Sequence, residues 1–192
     1  MKILICGVGG VGSFFTEEVV ECIKQGQIDA EITIADMDIV EIEQIKYQNF
    51  SVEEVGMNKA KALAKRYEDY GIKFIDKRIE RVSQLKDFDI IILCVDNDKT
   101  REFVVRYCHK NNKEFLDLRA TGRRIFAMPK LSLKENLKFI NSQDKTEYSC
   151  QERYDLERGY IQKGNKIVAM VGIQMLLNLI RGHTNKPISI VV

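Results

Sequence analysis

Short apolar runs alternate along this chain with stretches whose apolar residues recur every three or four positions, a rhythm that predicts an α/β protein. "KILIC" at 2–6 reads as a strand, and Phe15, Val19, Cys22 and Ile23 come at helical spacing before a second strand, "AEITIAD", at 30–36. Together they make a βαβ unit. Ser51-x-x-Glu54 then has the form of a capping box, and "NKAKALAKRYEDYG" sets Ala60, Leu63, Ala64 and Tyr67 on one helical face ahead of a stop at Gly71. "IKFIDKRI" at 72–79 predicts a third strand. "FDIIILCVDN" at 88–97 is apolar almost throughout, as strands covered on both faces are. A helix over 98–110 and a fifth strand, "KEFLDL", at 113–118 complete the series.

Beyond Arg119 the rhythm changes. "RRIFAMPKL" and "NLKFINSQ" predict two strands joined by a short turn, an antiparallel hairpin. Residues 144–164 are polar and aperiodic and read as a long loop, "NKIVAMVGIQMLLNLIRG" as an apolar helix capped by Asn165, and "PISIVV" as a last strand. The expectation is one domain over 1–192 with a Rossmann-like, doubly wound, mainly parallel sheet. Its parallel part spans 1–118, and the antiparallel extension, with hairpin, loop, helix and final strand, spans 119–192.

Charge and cysteines narrow the class. The 30 basic residues against 28 acidic ones, without long like-charge blocks, give no field suited to nucleic acid or a membrane surface. Cys6, Cys22, Cys94, Cys108 and Cys150 are widely spaced and form no C-x-x-C pair, so no zinc is expected and a reducing compartment is. With no leader-like segment and no apolar run of the ~18 residues a membrane helix needs, the expected location is cytoplasmic.

The candidate chemistry begins at "CGVGGVGSF". Gly7, Gly9 and Gly12 stand at G-x-G-x-x-G spacing between the first strand and the first helix. The first permits a tight turn, the second lets backbone approach phosphate, the third allows close helix packing, and the helix start attracts negative charge. No lysine comes after Gly12, which argues against a kinase-like P-loop. Asp36, about 20 residues on, is placed to accept hydrogen bonds from ribose hydroxyls. NAD and ATP both fit these features.

Three later segments, "ADMDIVEIEQIKYQNF", "EEVGMNKAKALAKR" and "IIILCVDNDKTRE", come in an order that resembles the ThiF/MoeB-type activating enzymes, relatives of the ubiquitin-activating enzymes. Gly7, Gly9, Gly10 and Gly12 match the family's glycine turn, and Asp36, Asp38 and Glu41 its acidic segment. Gln48, then Val55, Gly56 and Lys59, then Cys94, Asp96, Asn97 and Arg101 match the family's later motifs in order. The resemblance covers roughly 1–128 and continues more loosely through the final helix. It implies ATP-dependent adenylation of a carboxylate, typically the C-terminus of a ubiquitin-like or sulfur-carrier protein, in a homodimer or heterodimer. The first helix or the hairpin region is expected to supply the apolar interface. Lys59 would bring positive charge to the phosphates, Asp96 would hold Mg²⁺, and Arg101 would belong to the catalytic set.

The chain also departs from that pattern. The family's ATP-contacting asparagine falls on Gln44 and its phosphate-contacting arginine on Tyr47, beside Lys46. The family's helix ahead of the first strand, whose arginine enters the partner's site, is not expected from a sequence that opens on the strand. Arg119, Arg123 and Arg124 are candidates to compensate. Cys150, in "EYSCQERYD", stands where some activating enzymes carry a thioester-forming cysteine, with an inert loop thiol as the alternative. His109 and His183 lack a ligand pattern and read as ordinary residues. Two other functions remain open: a non-catalytic partner subunit of an activating enzyme, and an NAD-binding oxidoreductase or sensor.

Overall fold

The computed structural model describes residues 1–141, 151 and 153–191. Among them, seven strands form one sheet in the order β3-β2-β1-β4-β5-β6-β7. These are β1 Lys2–Cys6, β2 Glu31–Ala35, β3 Lys73–Ile75, β4 Ile90–Leu93, β5 Glu114–Thr121, β6 Arg124–Pro129 and β7 Ile188–Val191. The first five run parallel, while β6 and β7 are antiparallel to their neighbours. This is the doubly wound, mainly parallel sheet with an antiparallel extension that the alternation predicts.

Because strand side chains alternate between faces, each run of isoleucine and leucine divides between two cores. Ile3, Ile5, Ile32, Ile34 and Ile92 face one core, which helices α1 (Gly10–Lys24), α2 (Lys59–Arg66) and α6 (Gly164–Ile180) complete. Leu4, Cys6, Ile91, Leu93 and Phe115 face the other, under α3 (Asp98–Lys110) and α4 (Leu133–Asn141). The apolar face of α1 is occupied here: Phe15, Val19 and Val20 are buried. That helix offers no apolar surface from those positions to a second subunit.

Caps define the helix starts. Asn58 accepts the Lys61 N–H at 2.9 Å and opens α2, and Gly71 ends the next turn in the left-handed region. The Ser51–Glu54 motif closes only a single 3₁₀ turn, with the Ser51 N–H donating to Glu54 at 2.8 Å.

The hairpin differs from expectation. Strand β5 continues past Leu118 to Thr121 and turns at Gly122, so the antiparallel partner of β6 is β5 itself. The segment expected as the second hairpin strand is helix α4. Its start is fixed by Ser132, which receives the Glu135 N–H at 3.3 Å and donates its own N–H to the Glu135 carboxylate at 3.0 Å. Leu137 and Ile140 then turn toward the α3 core at helical spacing. The third strand is also shorter than expected, because 76–81 leaves the sheet. Within the expected long loop lies a short helix, α5, Arg153–Glu157. Buried Gln151 fastens this region by exchanging hydrogen bonds with the Gln162 backbone at 2.8 and 2.9 Å. Cys150 lies outside the described residues. Finally, α6 starts two residues earlier than a cap at Asn165 implies, at Gly164, and Asn165, rather than capping it, donates to the Tyr47 carbonyl at 3.1 Å.

Candidate active site

At the carboxyl ends of β1, β2, β4 and β5 the structure opens a cleft of about 400 Å³. Its floor is the glycine turn. Gly7 has φ +82°, and a Cβ there would stand 2.9 Å from the Cys94–Val95 backbone. At Gly12 a Cβ would stand 1.9 Å from the Gly7 carbonyl oxygen, so only glycine closes the turn against the first coil of α1. Gly7, Gly9 and Gly10 line the cleft, and Gly12 lies beneath them.

Asp36, at the end of β2, is tied to this turn. Its Oδ2 accepts the Val8 N–H at 2.8 Å and its Oδ1 the Asp38 N–H at 2.9 Å. Burial pushes its carboxyl above the ordinary value, against the opposing pull of those two N–H groups and of Lys59. A carboxylate has about four lone-pair sites, so each oxygen keeps acceptor capacity toward the cleft.

Lys59 is the first residue of α2, only 4% exposed, and its Nζ lies 3.8 Å from Asp38 Oδ2. A cation at the start of a helix is opposed by the helix dipole. Asn58 makes the placement possible by donating to the Asp36 and Asp38 carbonyls at 2.9 and 3.1 Å, which pins the start of α2 to the tip of β2.

The segment after β2 coils into a 3₁₀ turn, Ile42–Lys46, that lays Gln44, Tyr47 and Gln48 along the wall. It is held from two sides, by the Asn49 N–H donating to Ser13 Oγ at 3.0 Å and by the Asn165 contact to Tyr47. The Gln44 and Gln48 Oε1 atoms are buried without a hydrogen-bond donor among the described residues.

On the opposite side, the β4–α3 loop presents Cys94, Val95, Asp96 and Asn97. Asp96 is exposed at its tip. Asn97 caps α3, accepting the Thr100 N–H at 3.1 Å. Burial pushes the Cys94 thiol well above its ordinary value, which disfavours the thiolate. Arg101 lines the cleft as well, but its guanidinium donates to the Val95 carbonyl and to the buried carboxylate of Asp117. Arg119 Nη2 donates to the same carboxylate at 2.5 Å, and its guanidinium stacks over Phe139 at 4.5 Å.

The cleft therefore brings together ten of the expected residues, Gly7, Gly9, Gly10, Asp36, Asp38, Gln44, Gln48, Lys59, Asp96 and Asn97, together with Arg101. Of the three arginines offered as compensation, only Arg119 lines it; Arg123 and Arg124 are exposed elsewhere. Sequence reasoning missed Lys77, Arg78 and Ile79, which line the cleft where the chain leaves β3. The basic pair in "DKRIE" is the available signal, masked by the strand-like pattern around it.

Known proteins resemble this chain in sequence and in fold. Over 129 residues the chain is 27% identical to a tRNA threonylcarbamoyladenosine dehydratase of Haemophilus influenzae, a match to 62% of this chain and 48% of that protein. The chain thus spans about half the length of that curated relative. Among solved structures, E. coli MccB with AMPCPP and MccA superposes at TM-score 0.73 with 18% identity, over all of this chain and 60% of that one. The E. coli tRNA N6-threonylcarbamoyladenosine dehydratase TcdA, in complex with AMP, gives 0.70 with 18% identity, over 94% and 86%. At such identities the likeness is one of fold. The model of the ThiF family, however, matches residues 1–190, and the chain belongs to the ThiF family.

Proposed function

We propose that this chain binds ATP in the cleft and adenylates a carboxylate, the C-terminus of a ubiquitin-like protein, sulfur carrier or peptide. The observation that carries the reading is the convergence of the glycine turn, Asp36, buried Lys59 and Asp96 on one cleft at the carboxyl ends of the parallel strands. The turn's amides and the start of α1 would receive phosphate oxygens. Asp36 would take the ribose hydroxyls, and Lys59 would place its charge against the phosphates. A buried lysine at a helix start is unfavourable unless an anion offsets it.

Adenylation joins a carboxylate oxygen to the α-phosphorus and breaks the bond to the bridging oxygen. Pyrophosphate leaves with that electron pair. This chain's part is to hold the two reactants in line and to neutralise the charge that gathers on the phosphates. Asp96 suits Mg²⁺, which is commonly held by one or two carboxylates together with substrate phosphates. The ion would supply further charge neutralisation there. Arg101, read from sequence as catalytic, has its donors turned to Val95 and Asp117; we assign it the positioning of the Asp96 loop.

The relatives support this reading by the molecules bound to them: AMPCPP and MccA with MccB, AMP with TcdA. They also bring a second substrate class into the test, a threonyl carboxylate on a modified tRNA nucleoside. Exchange of labelled pyrophosphate into ATP should depend on one of these carboxylates. Calorimetry should show ATP·Mg binding in preference to NAD. Preference for NAD would sink the reading; ATP binding without exchange toward any carboxylate would favour the non-catalytic subunit, to which Tyr47 on the cleft wall lends some support.

A further inference from the structure

We propose that Arg119 is a phosphate-binding residue of this cleft, an inference that rests on the ATP reading. In strand pairing Leu93 of β4 stands opposite Asp117 of β5, so Arg119, two residues further, flanks the loop that carries Asp96. That loop in turn touches the glycine turn, since Gly7 approaches the Cys94–Val95 backbone closely. Lys59 comes to the turn from the α2 side, with its Nζ 3.9 Å from where a Gly9 Cβ would be. Arg119 comes from the β5 side. A polyphosphate on the turn would meet a cation on each flank.

Hydrogen bonding separates Arg119 from its neighbour. Arg101 and Arg119 share one buried carboxylate, Asp117. Arg101 also holds the Val95 carbonyl. Arg119 gives Nε and Nη2 to Asp117, at 3.1 and 2.5 Å, while its Nη1 is buried and donates to no acceptor among the described residues. Asp98 Oδ1 stands 3.9 Å from Nη1, too far for a hydrogen bond, and has no donor of its own among the described residues. Arg119 is 5% exposed, so this is a guanidinium that folding has desolvated beside the cleft. A buried donor without an acceptor is costly, and a phosphate oxygen is an acceptor that a guanidinium fits well. Phe139 over the guanidinium plane and Asp117 along one edge fix its remaining freedom. Little is left to order when the anion arrives.

The test compares ATP with adenosine, which shares every group except the phosphates. In Arg119→Met, the affinity for ATP·Mg measured by calorimetry should fall at least about tenfold, the worth of one hydrogen bond to a charged group. Adenosine should bind within about twofold of the parent. Asp117 keeps Arg101 as its partner in this variant. Should the methionine variant fail to give a cooperative thermal transition, Arg119→Lys, which keeps a positive charge beside Asp117, decides the matter by the same ATP-to-adenosine ratio. An unchanged ratio, with both affinities kept or both lowered alike, overturns the inference and leaves the ATP reading standing. A parent protein that binds no ATP overturns both.

Discussion

The carboxylate of Asp36 accepts the backbone N–H of Val8 at 2.8 Å, joining the tip of β2 to the turn after β1. The same carboxylate also receives the Asp38 N–H at 2.9 Å, so it shapes the cleft before any ligand enters. Asp36→Ala should therefore lower unfolding stability by about 1.5–3 kcal/mol, the range for hydrogen bonds to a charged group. Urea unfolding monitored by circular dichroism measures this. A variant as stable as the parent would show that the turn holds itself.

The pH dependence of Asp36 has a definite sign. Burial raises its pKa above the unfolded value of 3.8, so the folded chain retains this proton to higher pH than the unfolded one. Its contribution to stability is full below the unfolded value and is lost as pH rises through the raised folded value. As pH rises from 3.8 through the raised folded value, parent stability should fall relative to Asp36→Asn. Parallel stability curves for the two proteins would contradict the shift.

At Lys59, stability and binding should part company. Its ammonium is buried at the start of a helix, 3.8 Å from exposed Asp38 and within electrostatic reach of Asp36. Lys59→Met removes that burden, so stability should hold or rise by up to about 1 kcal/mol. ATP·Mg affinity should fall about tenfold or more, by loss of a charged contact to phosphate. Thermal melting with calorimetry on the same samples reads both. A loss of stability with ATP affinity intact would make Lys59 a structural residue.

Much of this site is legible in the sequence because its chemistry is tied to backbone. Gly7 and Gly12 need glycine for steric reasons that spacing alone conveys, and Asp36 and Asp96 stand at strand ends that the apolar runs delimit. The features that escape are set by contacts distant in sequence. Helix α4 reads as a strand because Leu137 and Phe139 alternate, although Ser132-x-x-Glu135 carries a capping signal and Ile140 completes a helical face. The role of Arg101 depends on Asp117, sixteen residues away and visible only once β4 and β5 pair. Lys77 and Arg78 reach the cleft only because β3 ends at Ile75.

The buried cluster of Arg101, Asp117 and Arg119 makes an asymmetric prediction. Asp117 is 2% exposed and is bound by both guanidiniums, so Asp117→Ala leaves two buried cations without their shared acceptor. Removing one partner of a buried pair typically costs about 3–5 kcal/mol, and here the loss should lie at or above that range. Arg101→Met should cost less, because Arg119 still satisfies Asp117. Its effect should appear instead in the β4–α3 loop, where the Val95 carbonyl loses a donor and Asp96 loses its support. Hydrogen exchange of residues 94–98 should then quicken while the sheet stays protected. The double variant Arg101→Met with Asp117→Ala should be less destabilised than the sum of the two, since each removes part of the same contact. Simple additivity in urea unfolding would mean that the two side chains, close as they are, do not act as a unit.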